Sequence, residues 1–229
     1  MLEMIKEAEW ELLNYPEWCT SYKVKRRVKM LLGKDVEPYD KFNWPNGLLA
    51  KGLADYYKKH KNSDEAREIL DCFKKYYDAW LRRGQQMYYL DDVFSGMALI
   101  DLHQSLKDER YKQALDDIVN YLYHHERDAS GSLFYRPAQS NHYIFADGIG
   151  LVCPFLCKYG STYNDKNAIN LAAVQIQNFI QFGMDDKTGL PYHGYEYESG
   201  IKYGIIGWGR AVGWLMIGMA ESLACMGKS

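Results

Sequence analysis

The sequence predicts an all-α chain whose helix pairs are arranged as an α/α toroid. Three observations carry this. Apolar residues recur at helical spacing through most of the 229 residues. The same unit returns three times: a loop, an inner helix apolar nearly all round, a short turn, then an amphipathic outer helix. Trp44, Asp92, Asp147 and Trp208 each stand just before an inner helix, at spacings of about 50–60 residues, a period typical of stacked helix pairs. The residue types that do chemistry gather at that one point of the repeat. Closing the pairs into a ring collects those loops at one end, whereas an open solenoid strings them along an edge.

The elements follow in order. Helices are expected at about 2–14 and 20–33, the second basic on one side (Lys23, Lys25, Arg26, Arg27, Lys29) as a solvated face. A loop with Pro38, Pro45 and Gly47 leads to an apolar helix near 47–60. Asn62-Ser63-Asp64-Glu65 supplies a cap and an acidic first turn for a helix ending at Arg82-Arg83-Gly84. Leu90-Asp91-Asp92 precedes the next apolar helix, 93–106, and Asp108-Glu109 opens its outer partner, 109–126. Asp128 to Gln139 is an irregular or hairpin loop. Ala146-Asp147-Gly148 enters a third apolar helix to about 159, and Asn164-Asp165 opens an outer helix to about 182. Trp208-Gly-Arg210-Ala-Val-Gly-Trp214 reads as a turn at the start of a last apolar helix. An inner helix buried on both sides needs such an apolar circumference.

Composition narrows the function. Net charge is −2, and no face forms a basic stripe, so nucleic acid is a poor partner. No apolar run reaches the roughly 20 residues of a membrane span, and the acidic, amphipathic start is unlike a signal peptide. The five cysteines are expected to be reduced and buried, which fits a cytoplasmic protein; none has the second Cys or His pair of a zinc site. Aromatics reach 15%, including 20 Tyr, which suits either an aromatic-lined cleft or Tyr-rich packing. Around Arg210, indole faces suit sugar rings and a guanidinium fork suits a carboxylate. Asp147 read by itself is a helix N-cap, Asp91-Asp92 a capping pair, and His193 a loop-backbone partner.

Taken together, Trp44-Pro-Asn-Gly-Leu-Leu, Leu90-Asp-Asp-Val-x-x-Gly, Asp108-Glu-Arg-Tyr, Ala146-Asp-Gly, Pro154-Phe-Leu, Thr188-Gly-Leu-x-x-His-Gly-Tyr and Trp208-Gly-Arg-x-x-Gly-Trp resemble the unsaturated glucuronyl and rhamnogalacturonyl hydrolases. Their order and spacing suit the rhamnogalacturonyl branch better. The resemblance implies an (α/α)6 barrel and hydration of the C4=C5 double bond that polysaccharide lyases leave on a terminal uronic acid. It implies Asp147 as general acid and base, with Asp91 or Asp92 as second carboxylate. Trp44, Arg136, His193, Trp208, Arg210 and Trp214 fall at substrate-binding positions, and neither metal nor organic cofactor is expected. Tyr135-Arg136 and Phe145 stand where the family usually has a His-Lys pair and a Trp, with His142 displaced nearby.

The expectation is thus one toroid domain over 1–229 that lacks its C-terminal helix pairs, with self-association covering exposed helix faces. Its partner is an unsaturated acidic oligosaccharide of pectin or rhamnogalacturonan type. The alternatives are a non-catalytic or degenerate carbohydrate-binding relative, and a helical-repeat scaffold.

Overall fold

The computed structural model describes residues 2–14, 19–34, 36, 38–136 and 142–226. Nine α-helices are found among these residues: α1 (Leu2–Asn14), α2 (Thr20–Leu31), α3 (Trp44–Lys59), α4 (Asp64–Arg82), α5 (Gly96–Leu106), α6 (Glu109–His124), α7 (Ala146–Tyr163), α8 (Lys166–Gly183) and α9 (Gly209–Met226). A 3₁₀ turn, Leu90–Ser95, leads into α5. The fold is all-α, an arc of an α/α toroid in which α3, α5, α7 and α9 are inner helices and α4, α6 and α8 pack outside them.

The helix starts follow local chemistry. Ser63 accepts from the backbone N–H of Ala66, Asp108 from that of Arg110, and Asp165 from those of Asn167 and Ala168. Helix α3 begins at Trp44, earlier than the apolar pattern suggests, because Asn43 caps it and Pro45 tolerates the first turn. Helix α9 likewise begins at Gly209, so Arg210 and Trp214 are helical residues, not part of a turn. Arg83 closes α4 and binds both carboxylate oxygens of Asp40, at 2.7 and 2.9 Å.

Small residues allow the closest inner contact. A Cβ on Gly218 of α9 would lie 2.7 Å from the Ile149 carbonyl of α7. Toward the C-terminal ends of the inner helices, Asp101 of α5 joins Lys58 of α3 and Lys158 of α7 at 3.0 and 2.6 Å. Burial lowers the Lys158 ammonium to about 8, although Asp101 opposes the shift.

Two surfaces depart from a closed core. Helix α2 buries no residue; Arg26 is half-buried, while Lys23, Lys25, Arg27, Lys29 and the apolar Val24, Val28 and Leu31 are exposed. On α9, Met216 and Leu223 are exposed along one stripe. The expectation of five buried cysteines holds for Cys72, Cys153 and Cys157. Cys19 is exposed at the start of α2, a helix with no buried residue, and Cys225 is half-buried; all five are free thiols. No described helix is long and apolar enough to cross a membrane.

The short strands lie in loops and position the site. β1 (Ile144–Phe145) pairs antiparallel with β2 (Gly194–Tyr195), which pairs with β3 (Lys202–Tyr203). The loop after α6 closes on itself through an Arg127–Leu133 bridge, and its predicted end at 137–139 lies outside the described residues.

Candidate active site

Asp147 sits in the first turn of α7, but it is not the cap. Phe145 holds the N-cap position, because β1 delivers extended backbone there and the helix starts immediately after it. The Asp147 carboxylate is therefore spent on side chains. Its Oδ2 lies 3.0 Å from His193 Nε2 and its Oδ1 3.5 Å from Arg210 Nε. With Nε2 protonated, the imidazole donates to the carboxylate.

The strand register makes this meeting possible. Phe145 pairs with Gly194, and the Ala146 N–H donates to the His193 carbonyl at 2.9 Å, so His193 is presented to the start of α7. Only glycine fits at 194: a Cβ there would stand 2.4 Å from the Ile144 carbonyl oxygen and 2.6 Å from the Phe145 ring. Gly194→Ala is therefore expected to push β1 from β2 and destabilise the chain by about 1–3 kcal/mol, the usual range for overpacking. Chemical denaturation checks this; unchanged stability would mean the loop relaxes freely.

Aromatic rings enclose the pair. Phe145 lies 4.5 Å from the His193 ring and Trp208 meets it edge-on at 4.8 Å. Tyr203 and Tyr143 extend the wall, their rings 4.9 Å apart. The Arg210 guanidinium lies 4.2 Å from the centre of the Trp208 ring, a cation–π contact. Arg210's side chain is 54% exposed and Trp208 is 38% exposed, so the site opens on this side. Trp44 meets Trp214 edge-on at 5.6 Å, joining the starts of α3 and α9, and the Trp214 indole N–H is buried with no partner among the described residues.

A second carboxylate stands beside this cluster, and the structure separates Asp91 from Asp92. Asp92 turns back onto its own backbone, where Oδ2 accepts from the N–H groups of Tyr88 and Tyr89 at 3.0 Å each. Asp91 faces the loop after α6. Its Oδ2 accepts from Tyr135 Oη at 2.5 Å, and both oxygens lie 3.5 Å from Arg136 nitrogens. Tyr135 also meets Phe145 edge-on at 5.3 Å and so links the two carboxylate clusters. His142 is stacked on Phe134 at 4.2 Å.

Burial raises the Asp92 carboxyl to about 7, with Asp91 adding to the shift and the two backbone N–H groups opposing it. Folding therefore favours protonated Asp92. Its contribution to stability is full below the unfolded value near 3.8 and is lost as pH rises through about 7. Asp92→Asn keeps an oxygen for the two N–H groups and removes the titration. The variant is expected to flatten the pH dependence of the melting temperature between about pH 4 and 7; a dependence identical to wild type would place its source elsewhere.

The structure thus brings the expected residues Asp147, His193, Trp208 and Arg210 into one cluster, Asp91 and Arg136 into its neighbour, and Trp44 with Trp214 beside the helix starts. Tyr135 was noted only as standing at a position where the family usually has a His, and Tyr143 and Tyr203 were missed. For Tyr143 and Tyr203 the signal is the abundance of tyrosine, which does not say which rings converge. Among the described residues, no group of three or more His, Cys, Asp or Glu side chains is placed to hold a metal ion.

The arrangement is a carboxylate held between an imidazole and a guanidinium and walled by aromatic rings, at one end of an α/α toroid. The chain belongs to glycosyl hydrolase family 88, whose model matches residues 18–229. It is 23% identical over 187 residues to the unsaturated rhamnogalacturonyl hydrolase YesR of Bacillus subtilis (strain 168), covering 80% of this chain and 53% of that protein. The chain thus spans about half the length of this curated relative. Among solved structures, a possible member of the GH105 family from Klebsiella pneumoniae superposes with a TM-score of 0.78 at 19% identity, covering 99% of this chain and 58% of the other. An unsaturated glucuronyl hydrolase specific for heparin gives 0.65 at 17% identity, covering 80% and 52%.

Proposed function

We propose that this chain carries the reaction centre of an unsaturated uronyl hydrolase acting on lyase-generated acidic oligosaccharides of pectin or rhamnogalacturonan type. The observation that carries the reading is the Asp147 carboxylate, free of capping duty and held by His193 and Arg210 against an aromatic wall. Family membership and the similarity to a rhamnogalacturonyl hydrolase support the substrate class.

In this reading the Asp147 carboxyl gives its proton to C4 while the C4=C5 electron pair forms the new C–H bond. Positive charge develops at C5 and is shared by the ring oxygen. Water adds at C5 and returns a proton to the Asp147 carboxylate. The resulting hemiketal opens between C5 and the ring oxygen, and the hemiacetal left at C1 collapses to an aldehyde, releasing the remaining sugar. Arg210 takes the uronate carboxylate, Trp208 and Trp44 provide apolar surface for the ring, the buried Trp214 backs Trp44, and His193 orients Asp147. Of the two neighbouring aspartates, Asp91 holds a sugar hydroxyl together with Arg136, because Asp92 is occupied by backbone.

The test compares two disaccharides that differ only in the terminal double bond. The unsaturated one should be cleaved and the saturated one left intact. Equal cleavage of both would replace the proposed hydration with direct displacement at the anomeric carbon.

One observation favours a second reading, a carbohydrate-binding relative without turnover: Tyr135-Arg136 and Phe145 stand where the family usually has a His-Lys pair and a Trp. Binding of the unsaturated disaccharide without consumption would select it.

A further inference from the structure

A second feature lies on the outer side of Asp91. A cleft of about 550 Å³ opens between the segment before the 3₁₀ turn, the end of α6 and the loop that follows it. This volume lies within the range of small-molecule pockets. Tyr88 and Tyr89 form one wall. Asn120, Tyr121 and His124 form the other, as the spacing i, i+1, i+4 places them on one side of α6. Arg136 is at the inner end, its guanidinium 4.2 Å from the ring centres of both Tyr89 and Tyr135.

Arg136 thereby touches both regions: it lines this cleft and lies 3.5 Å from both Asp91 oxygens. Its stacking between two rings fixes a cation where the cleft meets the Asp91 cluster. The remaining polar lining is His124, His125, Asn120 and the acidic Glu126. His125 is held by its Nε2, which lies 2.8 Å from the Phe134 carbonyl, and burial lowers its pKa. Flat phenol faces with hydroxyls at their rims, and one fixed cation, match a sugar ring bearing a carboxylate.

We propose that this cleft is a distal subsite for a further acidic sugar of the same oligosaccharide, with Arg136 meeting its carboxylate and the tyrosines covering its ring. The assignment rests on the proposed function for the kind of chain that arrives there. It adds a length preference: an oligosaccharide long enough to reach the tyrosine cleft is used better than a disaccharide that ends near Asp147.

Tyr88 is the variant of choice. The residue is 38% exposed, while its contact with Asp92 is made by the backbone and survives truncation. Wild type should show kcat/KM roughly tenfold higher for an unsaturated tetrasaccharide than for the disaccharide, the scale of one aromatic anchor. Tyr88→Ala should bring that ratio to about one without changing disaccharide turnover, and His124→Ala should lower it in the same direction. A wild-type ratio of one, or an equal loss on both substrates in Tyr88→Ala, would overturn the subsite while leaving the reaction intact. Calorimetry with a saturated tetrauronide separates failure of the reaction from failure of the cleft. Binding that Tyr88→Ala weakens supports the subsite even where nothing is turned over, and no binding by wild type overturns it.

Discussion

Asp147→Asn is expected to lower kcat on an unsaturated disaccharide by about 10²–10⁴-fold, the range attributed to a general acid–base group. The fold should tolerate the change. Phe145, not Asp147, occupies the N-cap position of α7, and the amide retains an oxygen for the His193 N–H. What is lost is a group able both to deliver a proton to C4 and to accept one from water. Circular dichroism and melting temperature would confirm that the variant is folded. Wild-type kcat in the folded variant would remove Asp147 from the chemistry, whatever its position.

Arg210→Ala should act mainly on binding. The guanidinium is half exposed, lies over Trp208 and stands 3.5 Å from Asp147 Oδ1, so it can serve an incoming carboxylate from a fixed position. Losing one charge-assisted contact of about 1.5–3 kcal/mol corresponds to a rise in KM of roughly 10- to 150-fold. A smaller change in kcat is expected, because Arg210 also helps to set the Asp147 carboxylate. Arg210→Lys restores charge but not the planar fork, so it should recover only part of the affinity. Unchanged kinetics in Arg210→Ala would place the substrate carboxylate elsewhere.

The parts of this molecule that were legible in the sequence are those decided locally. Ser63, Asp108 and Asp165 announce helix starts because a side-chain cap acts within three residues. The inner helices are legible because burial on both sides demands an apolar circumference. Long-range register was not legible. Phe145, His193 and Tyr203 meet because three two-residue strands pair across some 60 positions, and such short strands leave no periodic trace. Asp91 and Asp92 could not be separated for a different reason. In a 3₁₀ turn adjacent side chains point about 120° apart, so one faces Tyr135 and the other its own backbone, and only the phase of the turn decides which. The N-cap reading of Asp147 failed because β1 carries extended backbone as far as Phe145, moving the cap two residues earlier.

The central claim is that the chain hydrates a C4=C5 double bond. It is tested most directly by following the ultraviolet absorbance of that conjugated uronate while the purified, folded chain acts on lyase-generated pectin fragments. The account predicts a steady loss of absorbance with wild type that is absent with Asp147→Asn. A flat trace with folded wild-type protein, or an equal loss with the variant, would contradict it.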